Sequence, residues 1–102
     1  MNFAQASSLA TAWVDIVCEG KATLVLRSTI AKPYGWVFFY QSRDQSEPLA
    51  GNAPIIVDRD TLELRVTGTA RPLEHYLEEY ERSIPSARLQ RVAQQPSDET
   101  ED

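Results

Sequence analysis

The chain has 102 residues, of which 42% are hydrophobic, and its formal net charge is -5. This length suits one domain with one modest core, and the ordinary hydrophobic fraction argues against a chain that is disordered throughout. The acidic balance disfavours nucleic acid as a partner, because phosphate backbones are bound by basic surfaces.

The sequence shows no targeting or membrane-spanning pattern. It does not open with the charged and then apolar segments of a secretory signal, and no apolar run approaches the ~20 residues that cross a bilayer. The single cysteine, Cys18, cannot form an internal disulfide or a cysteine-rich zinc site. We therefore expect a cytoplasmic protein that binds no membrane.

The first predicted element is an amphipathic helix over about residues 3 to 18. Asn2 and Gln5 have the spacing of a capping box, and Gly20 is typical of a helix stop. Its apolar residues recur at helical spacing and should share one face. They are Ala6, Leu9, Ala10, Trp13, Ile16 and Val17.

Four strands are predicted after this helix. They cover residues 21–29, 36–42, 55–57 and 62–66. In the second strand Trp36, Phe38 and Tyr40 alternate with Val37 and Phe39, so both faces are apolar. This pattern predicts a central strand covered on both sides.

The fourth strand alternates in the simpler way of a half-buried strand. Leu62, Leu64 and Val66 should face the core, and the charged residues between them should face water. The links between the strands are too short for crossover helices, so the sheet should be antiparallel.

A second helix is predicted after Pro72, which suits a first helical position because no amide donor is needed there. Its apolar stripe is Leu73, Tyr76, Leu77, Tyr80 and Ile84, and Pro85 ends it. The order α-β-β-β-β-α predicts an α+β fold, in which an antiparallel four-stranded sheet packs with an N-terminal and a C-terminal helix. We expect one domain over residues 1–84, then a polar extension over 85–102 with a weak helix and an acidic tail disordered at least from 96.

No set of residues predicts catalysis, a metal or a cofactor. His75 lies off the apolar stripe, and a pair with Cys18 would lack a third group to orient it. Asp58, Asp60 and Glu63 have part of a calcium-loop spacing, but the glycine and the distant bidentate glutamate are missing. A hairpin turn with aspartates bonded to the backbone explains this segment. We expect no enzyme activity.

Gly51, Asn52 and Pro54 form a compact motif before the third strand. Glycine and asparagine tolerate positive φ, and a proline favours extended backbone before it. The motif therefore predicts a structural role, with a binding role as the alternative. Trp36, at the start of the central strand, is expected in the core.

The second helix also carries an acidic face. Glu74 and Glu78 are one turn apart and repel each other, and Glu79 and Glu81 extend the charge. Such a field can attract a basic protein. The alternative is a solvated helix face with Glu74 stabilised at the helix N-terminus. These four glutamates are the candidate partner-binding residues.

Three segments together resemble the YrhB-like domain family, which overlaps the bacterial polymorphic-toxin immunity protein 35 group. They are GWVFFY at 35–40, LAGNAPIIVDRD at 49–60 and GTARPLEHYL at 68–77. The resemblance covers roughly residues 3–82. Leu62 departs from it, because family members carry glycine there. Leucine is costly at positive φ, so the turn is expected to shift register or to use another turn type.

The resemblance implies a non-enzymatic α+β protein. Family members are predicted immunity proteins encoded beside toxin genes, so the first hypothesis is a protein that neutralises one cognate toxin. One branch is described as a heat-shock or chaperone-like protein, so the alternative is a small client-binding module. A large exposed apolar patch would favour the alternative.

Overall fold

The computed structural model describes residues 1–49 and 52–96, and every structural statement below concerns these residues. They contain an N-terminal helix, short antiparallel strands and C-terminal helices, which confirms the predicted α+β class. In chain order the elements are α1 (Phe3–Val17), β1 (Ala22–Leu24), β2 (Ile30–Lys32), β3 (Gly35–Phe38), β4 (Tyr40–Ser42), β5 (Ile55–Asp58), β6 (Leu64–Val66), α2 (Leu73–Arg82) and α3 (Ser86–Leu89).

The strands follow one another as an antiparallel meander. One sheet has the order β2-β3-β5-β6, and β1 pairs with β4 in a second, two-stranded sheet. Between the two paired regions, residues 25–29 of one strand face only residues 38–39 of the other. The extra residues of the longer segment form a 3-10 turn at Leu26–Ser28. This mismatch divides the two strands predicted over 21–29 and 36–42.

Helices cover the four-stranded sheet on both faces. Residues alternate along β3 and β5, so that Trp36 and Val57 pack under α1, whereas Val37 and Ile56 pack under α2. This alternation confirms that the strand beginning at Trp36 is central. The core therefore consists of two apolar clusters separated by the sheet.

The buried face of α1 differs from the predicted one in its last turn. The capping box is present, because Asn2 Oδ1 accepts from the Gln5 amide at 2.8 Å and Gln5 Oε1 accepts from the Asn2 amide at 2.9 Å. However, Ile16 and Val17 are 78% and 54% exposed, and Val14 is buried instead. Ile16 lies roughly 200° around the helix from Val14, so it points away from the sheet. The prediction for Ile16 and Val17 was wrong.

The β5–β6 hairpin resolves the question raised by Leu62. The turn does not avoid a positive φ at this position, because Leu62 itself adopts a φ of 63° and is 56% exposed. Its amide donates to the Asp58 carbonyl at 3.0 Å, and the Asp58 amide donates to the Glu63 carbonyl at 2.9 Å. Leu62 therefore belongs to the turn. Val66 is also exposed because β6 is an edge strand, so the predicted core positions at Leu62 and Val66 were wrong.

Residues beyond the domain boundary expected at residue 84 also contact the core. Pro72 caps α2 rather than beginning it, and the short α3 places Leu89 against the cluster that contains Tyr80 and Ile84.

Most of the acidic tail, residues 97–102, lies outside the described residues. No helix in the described part of the chain has the length and apolar character needed to span a membrane.

Candidate functional site

A fully buried aspartate organises the end of β5. Asp58 Oδ1 accepts hydrogen bonds from the backbone amides of Asp60 at 2.8 Å and Thr61 at 3.1 Å. The Tyr80 hydroxyl donates to Oδ2 at 2.7 Å, and Arg88 donates to Oδ1 from α3. The two backbone bonds are those of the hairpin turn that the aspartate spacing predicts.

The protonation of Asp58 follows from these contacts. Burial alone would raise the pKa of this carboxyl, but hydrogen bonds from Arg88, Tyr80 and the two amides outweigh it and lower the pKa to about 2. In turn, burial and the bond to Asp58 raise the pKa of the Tyr80 phenol. An ionised carboxylate with both oxygens occupied is suited to structure rather than to proton transfer.

Asp60 extends this network to the C-terminal residues. Arg88 Nε donates to Asp60 Oδ2 at 3.1 Å, and both terminal nitrogens of Arg91 donate to the same carboxylate. The Trp36 indole donates to the Gln94 carbonyl at 2.7 Å. Residues 86–94, named here the C-terminal strap, are thus held to the β5–β6 turn and to the core. The weak helix expected in this extension is present as α3, but its attachment to the turn was not predicted. The charges of Arg88 and Arg91, opposite to those of the turn, were a signal that could have indicated it.

The four candidate glutamates do not form one surface. Glu74 and Glu78 are exposed one turn apart on α2, and neither has an ion-pair partner among residues 1–49 and 52–96. Glu81 is half-buried, because its carboxylate accepts from the Tyr34 hydroxyl at 2.9 Å and lies 3.9 Å from Lys32 Nζ. It is therefore partly committed to the fold.

Glu79 lies on a different side of α2 from Glu78. Its carboxylate is 3.2 Å from His75 Nε2, and it borders a cavity of about 180 Å³ between β6 and α2. Arg65 also borders this cavity, but its guanidinium is 2.7 Å from Glu63 and lies over the Tyr80 ring at 5.1 Å. The cavity thus offers a ligand few polar groups that are not already bonded to protein.

Cys18 and His75 lie on opposite faces of the sheet. Cys18 packs against the cluster under α1, whereas His75 is carried by α2 on the other side. They therefore do not meet as a nucleophile and base. In the described part of the chain, no three His, Cys, Asp or Glu side chains are grouped so as to hold a metal.

The candidate structural residues have different environments. Trp36 is fully buried, with the Phe3 ring 5.9 Å away in an edge contact. The Pro54 carbonyl accepts from the Thr67 amide at 3.0 Å and from its hydroxyl at 2.6 Å, which ties the loop to the end of β6. Gly51 lies outside the described residues. Asn52 is exposed, and its side chain makes no hydrogen bond within the described residues.

The chain is similar to one curated protein of Escherichia coli (strain K12), whose description reads "Uncharacterized protein YrhB". The two are 47% identical over 53 residues, which cover 46% of this chain and 56% of the relative. The chain therefore spans about half the length of the curated relative it matches. No protein-family model matches the chain, and no solved structure matches it. The identity over this segment supports a YrhB-like relationship.

Proposed function

We propose that the chain is a non-enzymatic immunity protein that binds and neutralises a cognate bacterial toxin in the cytoplasm. The resemblance of its three segments to the YrhB-like and immunity protein 35 group suggests this role. The identity with YrhB supports the family part of the argument. The observation that carries the proposal is the exposed pair Glu74 and Glu78 on α2, which suits a basic partner.

The helix that carries this pair is firmly anchored. Its residues Leu77 and Tyr80 are buried on the side that faces the sheet, and the Tyr80 hydroxyl donates a hydrogen bond to Asp58. A surface on a rigid element loses little conformational entropy when it binds. The repulsion between Glu74 and Glu78 costs an isolated helix roughly a few tenths of a kcal/mol, and a cationic partner would relieve it.

Three further groups that could serve in chemistry favour a binding role over a catalytic one. Asp58 is ionised and fully bonded, and Cys18 and His75 lie on opposite faces of the sheet. None of these side chains offers a base beside a nucleophile, which acyl or phosphoryl transfer by the protein's own groups would require.

The test is to purify the tagged full chain from its own host at low salt and to identify bound proteins. A captured protein is then expressed in cells with and without the chain. We expect a basic protein that stops growth alone and is harmless when the chain is present. Capture of a harmless protein, or toxicity that the chain does not relieve, would contradict the proposal.

The alternative is a small chaperone-like module, and exposed apolar residues are the observation that favours it. Ile16 and Val17 lie together at the end of α1, whereas Leu26, Leu62, Val66 and Val92 are distributed over other parts of the described chain. A client-binding surface needs a contiguous patch. Suppression of client aggregation that disappears in Ile16→Lys would favour this alternative over toxin binding.

A further inference from the structure

β6 forms one edge of the four-stranded sheet. The Glu63 carbonyl accepts from Asp58 at 2.9 Å, and the Thr67 amide donates to Pro54 at 3.0 Å, so the backbone groups of residues 63 and 67 point towards β5. Because these directions alternate along an antiparallel strand, Leu64 and Val66 point theirs outward. Neither of these two amides has a hydrogen-bond acceptor within residues 1–49 and 52–96.

The sequence of this edge is complementary to itself when it is reversed. Glu63-Leu64-Arg65 reads acidic, apolar, basic about Leu64. The side chains of Glu63 and Arg65 are 44% and 50% exposed. An antiparallel copy centred on Leu64 would place opposite charges and apolar residues directly across from each other.

We propose that β6 pairs with β6 of a second copy of this chain, about a two-fold axis at Leu64. Each Leu64 amide then donates to the carbonyl of the partner's Leu64, because these groups point outward. Glu63 lies across from the partner's Arg65 on either side of the axis. The two four-stranded sheets join into one continuous sheet.

The charge arrangement selects a second copy as the occupant of this edge. Opposite charges that face each other across two strands are favourable, and like charges are unfavourable. Glu63 and Arg65 already lie 2.7 Å apart within one chain, so the pairing would form an alternating group of four charges with no net charge. A strand of unrelated sequence is not expected to place charges of the opposite sign across from Glu63 and Arg65.

The dimer would be weak, because each copy contributes one short strand. The surface area buried by two such strands is far less than the area that stable dimers bury. A short, charged edge strand is also a common protection against aggregation. We therefore expect a reversible equilibrium that responds to protein concentration and to salt.

The test is sedimentation of the full chain over a concentration series, with Glu63→Arg and Arg65→Glu as variants. Each variant alone places like charges across the axis, so its dissociation constant should rise about tenfold or more. An equal mixture of the two variants should associate, because the substituted positions are then complementary across the axis. Mixing restores no ion pair within either chain, so only pairing between copies explains a recovery.

Ile16→Lys is the matched control, since Ile16 is 78% exposed on α1 and is not part of β6. It should leave the association unchanged. Circular dichroism should show that all variants are folded, as expected for exposed positions. A wild-type chain that stays monomeric at its highest soluble concentration would overturn the proposal. So would a dimer that survives both charge reversals, or a mixture that fails to associate.

Discussion

Asp58 and Arg88 form an ion pair between the end of β5 and α3, although 30 positions separate them in the chain. The aspartate is fully buried, whereas the arginine side chain is 21% exposed and also lies 2.8 Å from Asp60. Arg88 therefore joins the hairpin turn to the C-terminal strap. A buried carboxylate that loses its cation is strongly destabilising, so the strap contributes to the stability of the whole domain.

The first prediction separates this buried ion pair from the exposed one beside it. Arg88→Ala should lower the free energy of unfolding by about 2 kcal/mol, because Asp58 keeps its other hydrogen bonds but loses its charge partner. Arg91→Ala should change it little, because the Arg91–Asp60 pair is exposed to water. Urea unfolding of both variants measures the difference. Equal losses would show that the burial of Asp58 is not the cause.

The second prediction concerns acid. The pKa of Asp58 is about 2 in the folded chain and about 4 when unfolded, so the unfolded state binds the proton more readily. The resulting stability is complete above pH about 4 and is lost as pH falls towards about 2, in total about 2 kcal/mol. Asp58→Asn should remove this part of the pH dependence. Asp15→Asn, at an exposed aspartate, is the control and should keep the wild-type acid profile.

The third prediction places the end of the folded unit. Truncation after Gln95 should leave the melting temperature nearly unchanged, because it keeps the bond from Trp36 to the Gln94 carbonyl. Truncation after Pro85 removes that bond together with Arg88 and Leu89, so the melting temperature should fall clearly. Differential scanning calorimetry of the two truncations measures this. A similar melting temperature for both would show that the strap is not required.

The fourth prediction concerns the approach of β3 to β5. A Cβ atom at Gly35 would lie 2.0 Å from the Val57 carbonyl oxygen, so Gly35→Ala must push two paired strands apart. We expect a loss of about 3 kcal/mol in the free energy of unfolding. Gly20→Ala meets no atom within 4 Å and carries only the cost of its φ of 75°, about 1 kcal/mol. Equal effects in thermal unfolding would refute the steric explanation.

The fifth prediction tests the acidic side of α2 once a partner is known. The double variant Glu74→Gln and Glu78→Gln should slow association with a basic toxin at low salt, and the effect should shrink as salt rises. Glu79→Gln is the control, because Glu79 lies on another side of α2 beside His75. Stopped-flow or surface-plasmon measurements give the association rates of the double variant and of the control. If the double variant associates as fast as the wild type at low salt, the partner binds elsewhere.

Local pattern was enough to predict several elements of this fold. The spacing of Asn2 and Gln5 predicts the start of α1, because a capping box satisfies backbone amides within one turn of the helix. The double-sided apolar pattern around Trp36 predicts a central strand, because side chains alternate between the faces of a sheet. The aspartates after β5 predict a turn, because their bonds reach only two or three residues along the chain.

The strap, the divided strands and the separation of the glutamates were decided only by the tertiary structure. The sequence alone predicts Arg88 to be a surface residue. In the structure it pairs with the buried Asp58, which is far away in the chain. Leu62 accepts an unfavourable φ because the bonds that close its turn involve Asp58, which the core holds in place. Glu81 becomes part of the fold because Tyr34 lies beneath α2. Each outcome depends on contacts between residues distant in the chain, whose energy outweighs the local preference of any one residue.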